Sequence, residues 1–157
     1  MTGDLSIRPY QPADAAALSA LYEASVRTLG ARDYSAAQID AWASLTPTPE
    51  TLDGRMQDGR TRLVALTDDI AGFVDVEADG HIDLLYVSPE AAGLGVARLL
   101  LETAEALAPL SGAGRLHAEA SETARPVFER LGYSVIARRD FEVAGVPIHN
   151  WAVEKPL

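Results

Sequence analysis

Cysteine is absent from the 157 residues. That removes a disulfide framework, a thiolate zinc site and a cysteine nucleophile together. Histidine occurs three times, and no two are spaced i, i+4 or set beside a suitable carboxylate cluster, so no metal site is expected. Basic side chains are scarce: 13 Lys and Arg stand against 23 Asp and Glu, for a formal charge of −10. Such a chain repels phosphate backbones, which argues against a nucleic-acid partner. No apolar run approaches the ~20 residues of a membrane span. Met1-Thr2-Gly3-Asp4-Leu5 lacks a basic start followed by an apolar stretch, so no secretory leader is read and a cytoplasmic location is expected.

What is present fits one globular domain over residues 1–157. Hydrophobic residues make up 48% and charged residues 23%, ordinary proportions for a folded soluble chain. A domain of this length buries roughly 68–70% of its unfolded surface without staples.

Leu5–Tyr10 alternates and stops at prolines, which predicts a first strand. Leu18, Leu21, Tyr22, Val26 and Leu29 then keep helical spacing up to Gly30. Ser35-Ala36-Ala37-Gln38 has the form of a capping box, opening a short helix through Ile39 and Trp42. Thr48-Pro49-Glu50 opens another that runs to about Gly59. Arg62–Thr67, Ile70–Glu77 and His81–Val87 read as three strands of an antiparallel meander, divided at Asp68-Asp69 and Asp79-Gly80. A loop over Ser88–Gly95 leads into a helix marked by Val96, Leu99, Leu100, Ala104 and Leu107. A strand at Leu116–Ala120 follows, then a helix starting near Ser121–Thr123 and closed by Gly132. Tyr133–Glu142 and Val146–Glu154 close the chain as a hairpin around Ala144-Gly145. The order is βααα-βββ-α-β-α-ββ, an α+β fold with a mixed sheet covered by helices.

The chemistry-bearing stretch is Leu84–Ala97, where a strand feeds a loop with Gly93 and Gly95 that opens directly onto a helix. Glycines admit close backbone approach, and a helix start presents free N–H groups, so the stretch suits a pyrophosphate. It is no Walker loop, since no Gly-Lys-Ser/Thr follows. A meander before it also contradicts a doubly wound dinucleotide fold.

Val87-Ser88-Pro89 followed by Ala92-Gly93-Leu94-Gly95-Val96-Ala97 resembles the first signature of the GNAT superfamily of acetyl-CoA-dependent N-acetyltransferases. Ala124-Arg125-Pro126-Val127-Phe128-Glu129-Arg130-Leu131-Gly132-Tyr133 resembles the second, in the correct order. Tyr34-Ser35, Gln38-Ile39 and Ala41-Trp42 add a likeness to a bacterial small-molecule branch.

The resemblance implies a mostly antiparallel seven-stranded sheet and acetyl-CoA as co-substrate. The segment Leu85-Tyr86-Val87 would offer its backbone to the pantetheine arm, through Leu85 and Val87. N–H groups from Gly93 through Leu94, Gly95 and Val96 to Ala97 would hold the pyrophosphate. Acetyl would sit where the strand ending at Val87 splays from Leu116–Ala120. Ser121 stands where the family often has Asn, beside the cofactor. Two positions depart from the pattern. Ala92 replaces a phosphate-contacting Arg or Gln, with Arg98 one turn on as a compensating cation. Phe128 replaces a Tyr that protonates the departing thiolate in many members.

An acceptor ammonium must lose a proton before its nitrogen attacks. His81 and Asp83 point the same way by strand periodicity, and both coincide with positions where family members carry a base. His81 has the better intrinsic pKa, and Asp83 lies deeper in the strand. Tyr34 and Trp42, on the early helices, and Asn150, on the last strand, would line the acceptor side. The expected acceptor is a small-molecule amine; O-acetylation or transfer of another acyl group, and a module that senses acyl-CoA without turnover, are the alternatives. A homodimer is the assembly most in keeping with the family.

Overall fold

The computed structural model describes residues 4–157; Met1-Thr2-Gly3, part of the stretch read for a leader, lies outside them. Strand β1 (Ser6–Pro9) is followed by helices α1 (Ala15–Leu29), α2 (Ala36–Ala43) and α3 (Pro49–Arg55). The meander β2 (Thr61–Leu66), β3 (Ile70–Val76) and β4 (His81–Val87) comes next. Helix α4 (Val96–Leu107), strand β5 (Arg115–Ala120), helix α5 (Arg125–Arg130) and the hairpin β6 (Ser134–Val143) and β7 (Val146–Pro156) complete the chain. The seven strands form one sheet in the order β1-β2-β3-β4-β5-β7-β6. Every neighbouring pair is antiparallel except β4 with β5. The element order matches the sequence reading, and the sheet is the mixed, mostly antiparallel one expected.

Local chemistry explains the element ends. Ser35 accepts from the Gln38 N–H and the Gln38 side chain accepts from the Ser35 N–H, so the capping box at α2 is complete. Ala144 and Gly145 both take positive φ, 51° and 79°, the twist that suits a two-residue hairpin. Two helices differ from expectation. The helix after Thr48 ends at Arg55 and continues as a 3-10 turn over Met56–Asp58 before left-handed Gly59. The helix after β5 begins at Arg125, because Ser121 Oγ takes the Ala124 N–H (3.0 Å) and holds the intervening residues in a turn.

Alternation along the strands makes two apolar layers. One face packs Val74, Ile82, Leu116 and Val153 against Leu100, Leu101 and Phe128 of α4 and α5. The other packs Val64, Phe73, Leu84 and Ile148 against Leu18, Tyr22, Val26 and Ile39 of α1 and α2. Gly72 lets α4 lie close on β3, since a Cβ there would meet the Tyr86 carbonyl oxygen and Val96 Cγ1 at 2.8 Å each.

Candidate active site

Two backbone features define the site. The first is a fork. The parallel β4 and β5 pair only at His81 with His117 and Ile82 with Ala118, and beyond those pairs the strands part. From Asp83 to Val87 the edge of β4 that faces β5 has no strand partner among the described residues. The second is a β-bulge at the fork's root. Asp75 pairs with Leu84 while Val76 pairs with Ile82, which leaves Asp83 unmatched on β3.

At the open end of β4 the chain enters the glycine loop. Gly93 and Gly95 take φ of 81° and 83°, and a Cβ at either would meet nothing within 4 Å. These glycines are therefore demanded by backbone shape and not by crowding. Leu94 N–H closes on the Ala91 carbonyl (3.2 Å), and Leu99 N–H is the first of α4 to find a carbonyl in the preceding turn, that of Gly95 (3.1 Å). The N–H groups of Gly95, Val96, Ala97 and Arg98 form the open start of α4. Val96 itself is buried, so only its backbone faces the loop. Ala92 is exposed, and Arg98, also exposed, is paired by its Nε to Glu102 Oε1 at 2.8 Å.

On the acceptor side of the fork, Asp83 is clamped. Its Oδ2 accepts from Arg60 Nη1 (2.8 Å) and lies 3.9 Å from Arg55 Nη1. Arg60, only 6% exposed in its side chain, also binds Asp58 and Asp75, so it cannot swing away. Beneath it Arg62 makes a two-pronged pair with Asp75 (2.5 and 2.8 Å) and donates to the Leu52 carbonyl (3.0 Å). His81 is engaged at both ring nitrogens: Nδ1 lies 2.6 Å from Glu77 Oε1 and Nε2 lies 2.8 Å from Glu119 Oε2. Burial pushes this imidazole's pKa down, but the two carboxylates outweigh it and the net direction is up.

Neither ring nitrogen of His81 is free: each faces a carboxylate, so the imidazole expected as a base carries partners that the sequence did not show. Glu77, His81 and Asp83 also bring one donor atom each within 4.8 Å of one another, a spacing the sequence reading did not foresee. Each of those groups already has a protein partner: Arg60 on Asp83, and the imidazole between the carboxylates.

Other expected residues take different places. Tyr86 is half-buried on the α1 face beside Tyr22 (ring centroids 4.3 Å apart), so its ring turns away from the α4 layer. Burial raises the pKa values of both phenols, which keeps the hydroxyls protonated at neutral pH. Leu85 and Val87 are half-buried against the α4 face. Tyr34 is 7% exposed, and its hydroxyl is spent on backbone, accepting from the Glu122 N–H (2.7 Å) and donating to the His149 carbonyl (2.9 Å). It is a clasp between the α1–α2 connection and the β5–α5 turn. Trp42 packs edge-on against it and stays half-buried. Asn150, half-buried, accepts from Arg139 Nη1 (3.2 Å) on the outer hairpin. Phe128 is 2% exposed and stacks edge-on with Tyr133 in the core. Its ring does not reach the fork's surface.

The profile of the acetyltransferase (GNAT) domain matches residues 30–155. The chain belongs to the GNAT acetyltransferase family. Among its relatives, the uncharacterized N-acetyltransferase YafP of Escherichia coli K12 is 28% identical over 148 residues, covering 94% of this chain and 93% of the relative. A GCN5-related N-acetyltransferase from Rhodopseudomonas palustris is 34% identical, with a TM-score of 0.90 over 100% of this chain and 98% of the other. The PaiA N-acetyltransferase of Thermoplasma acidophilum, solved with coenzyme A, shares 20% identity, with a TM-score of 0.78 over 98% of this chain and 99% of the other. The last likeness speaks to the fold alone.

Within this GNAT chain, sequence reasoning missed Glu77, Glu119, Arg60 and Glu122. Glu122 draws together His149 Nε2 (2.8 Å) and the Trp151 indole N–H, and the indole contact leads in holding its carboxyl below the usual range. Arg125 stacks over the same Trp151 ring, 4.4 Å from its centroid. Glu77 stands four residues before His81 across one turn and could have been found by spacing; the pairings of Glu119, Arg60 and Glu122 join residues more than 20 apart, which no local pattern marks.

Proposed function

We propose that the chain transfers acetyl from acetyl-CoA to the amine of a small molecule by direct attack of the nitrogen on the thioester. The fork carries this reading: an unpaired β4 edge runs from the bulge at Asp83 straight into a loop whose N–H groups are open. That edge is shaped to take an extended amide-bearing arm as an added strand, with Leu85 and Val87 supplying the backbone partners. Gly93 to Ala97 then receive the pyrophosphate at the helix start, where the dipole favours negative charge. Arg98 adds a cation once it exchanges Glu102 for phosphate, and offsets the Ala92 departure. Ser121 stands at the tip of β5 beside the pantetheine. Coenzyme A in the fold relative from Thermoplasma supports the same ligand class.

The acceptor enters from the α1–α2 face, past Trp42 and Asn150, with Tyr34 holding that wall in place. Asp83, fixed by Arg60, orients the ammonium, and His81 belongs to the group that removes its proton. With Phe128 in the core, the thiolate leaves unassisted or takes its proton from water, which its Cys-like pKa of ~8.5 allows. A second reading follows from the same observation: a chain that binds acyl-CoA as a sensor and turns nothing over.

Calorimetric titration with acetyl-CoA and with dephospho-CoA, followed by an amine screen, separates these. Micromolar binding with release of free thiol in the presence of an amine supports the enzyme. Binding without thiol release supports the sensor, and absence of binding at millimolar cofactor rejects both.

A further inference from the structure

We propose that Glu119, His81 and Glu77 form a proton relay at the root of the fork, with Glu119 taking the proton from the acceptor ammonium. The inference rests on the transferase reading above and assigns its base to a residue on β5.

The placement follows from register. The last paired residues of the two strands are Ile82 and Ala118, so Asp83 and Glu119 are the first residues beyond the pairing on either side. Ala118 and Ala120 belong to the α4 layer, which turns Glu119 to the opposite face, where the acceptor enters. Asp83 is held by two guanidinium groups, one of them buried. Glu119 is 38% exposed in its side chain and has, among the described residues, a single partner, His81, itself 22% exposed. Glu77, at the other end of the same line, is also 38% exposed in its side chain and is bonded to the second histidine nitrogen.

Every charged or titratable neighbour is compatible with proton passage. On the β3–β4 turn, the Asp79 carboxylate accepts the His81 N–H (2.9 Å). On β5 the His117 ring lies 5.1 Å from the His81 ring, and its Nε2 is 4.0 Å from Asp79. Asp83 approaches from β4 with Arg60 behind it, and Glu154 on β7 is occupied by Arg115. The two carboxylates that touch His81 favour its imidazolium, so a proton delivered from Glu119 is held there.

The step balances as follows. In the base form, the imidazole keeps its Nδ1 proton on Glu77 and leaves Nε2 unprotonated toward Glu119. The ammonium gives one proton to the Glu119 carboxylate, which passes it to Nε2. The freed nitrogen forms the C–N bond, the C–S bond breaks, and the second proton that the nitrogen sheds on becoming an amide passes through water to the departing thiolate. The imidazolium returns its Nδ1 proton through Glu77 to solvent.

The test pairs His81 titration by NMR with pH–rate profiles of Glu119→Gln and Glu77→Gln, using an amine found in the screen. His81→Gln assigns the resonance. In the parent protein, His81 titrates above the ordinary histidine value of about 6.5, and in Glu119→Gln it falls toward that value. Glu119→Gln loses at least ~10-fold in kcat/KM near neutral pH, and the loss shrinks as pH approaches the amine's own pKa of ~10.4. Acetyl-CoA affinity is unchanged. Glu77→Gln, a positioning change, moves the limb of the profile to lower pH.

A loss that is uniform across pH, or activity within twofold of the parent throughout, overturns the relay. So does a His81 titration that Glu119→Gln leaves unmoved, whatever the activity. Acetyl-CoA binding with no amine acetylated overturns the transferase reading, and with it the catalytic role of Glu119.

Discussion

Arg62 and Asp75 are both sealed from solvent, and their pairing is of the kind whose breakage costs more than its formation gains. Asp75→Asn leaves the buried Arg62 guanidinium without its counter-charge and takes one of three carboxylates from Arg60. The expected destabilisation is about 3–5 kcal/mol, read from urea unfolding midpoints at pH 7. A loss under about 1 kcal/mol would show that water reaches the pair. His81 makes a prediction with a sign. Its pKa in the folded protein is raised above the unfolded value of about 6.5. Its contribution to stability is therefore fully present below about pH 6.5 and is lost as pH rises through the folded value. Thermal midpoints of the parent and His81→Gln should differ most near pH 6 and converge toward pH 9, at about 0.15 M salt. A gap that stays constant over that range would mean that both carboxylates are indifferent to the imidazole's charge.

Elements differ in how much of them the sequence made legible. The capping box before α2, the meander and the hairpin at Ala144-Gly145 each rest on residues adjacent in the chain, and each forms as read. The bulge at Asp83 does not announce itself. It arises because β3 and β4 are paired out of step, and only the facing strand reveals it. Periodicity put His81 and Asp83 on one face and that holds, yet their partners come from the end of α3, the residue before β2, β5 and the turn at Glu77. The glycine loop is the intermediate case: its shape was legible, and the open N–H groups at its end follow from helix geometry. That loop yields a separable prediction. Gly95→Ala meets no atom, so its cost to folding is confined to the left-handed φ, about 1–2 kcal/mol. Acetyl-CoA affinity should fall as well, by ~10-fold or beyond (about 1.4 kcal/mol or more), because relief of that φ flattens the loop where the pyrophosphate lies. Calorimetry on the folded variant checks this. An unchanged affinity would move the phosphates away from α4.

At the scale of the whole molecule, the sheet is two units held side by side. The meander β1-β2-β3-β4 and the trio β5-β7-β6 each have long antiparallel registers, whereas β4 and β5 share two residue pairs. What joins the halves is that short parallel contact together with helices packed across both faces. The fork is the cleft between the units, so a ligand laid along β4 supplies main-chain partners that the sheet itself withholds. Binding should consequently tighten the junction and not only cover a loop. At 100 times its Kd, acetyl-CoA stabilises the folded chain by about 2.7 kcal/mol, and about 2–4 °C per kcal/mol places the rise in Tm near 5–10 °C. Hydrogen exchange locates the effect. Amides between Asp83 and Val87 should slow along with those of Gly93 to Arg98, since both stretches acquire acceptors when the arm and the pyrophosphate are seated. Slowing confined to the loop would mean that the phosphates bind while the arm stays out of the fork. In that event the acetyl group never reaches Asp83 and Glu119, and the chemistry assigned to them has no substrate.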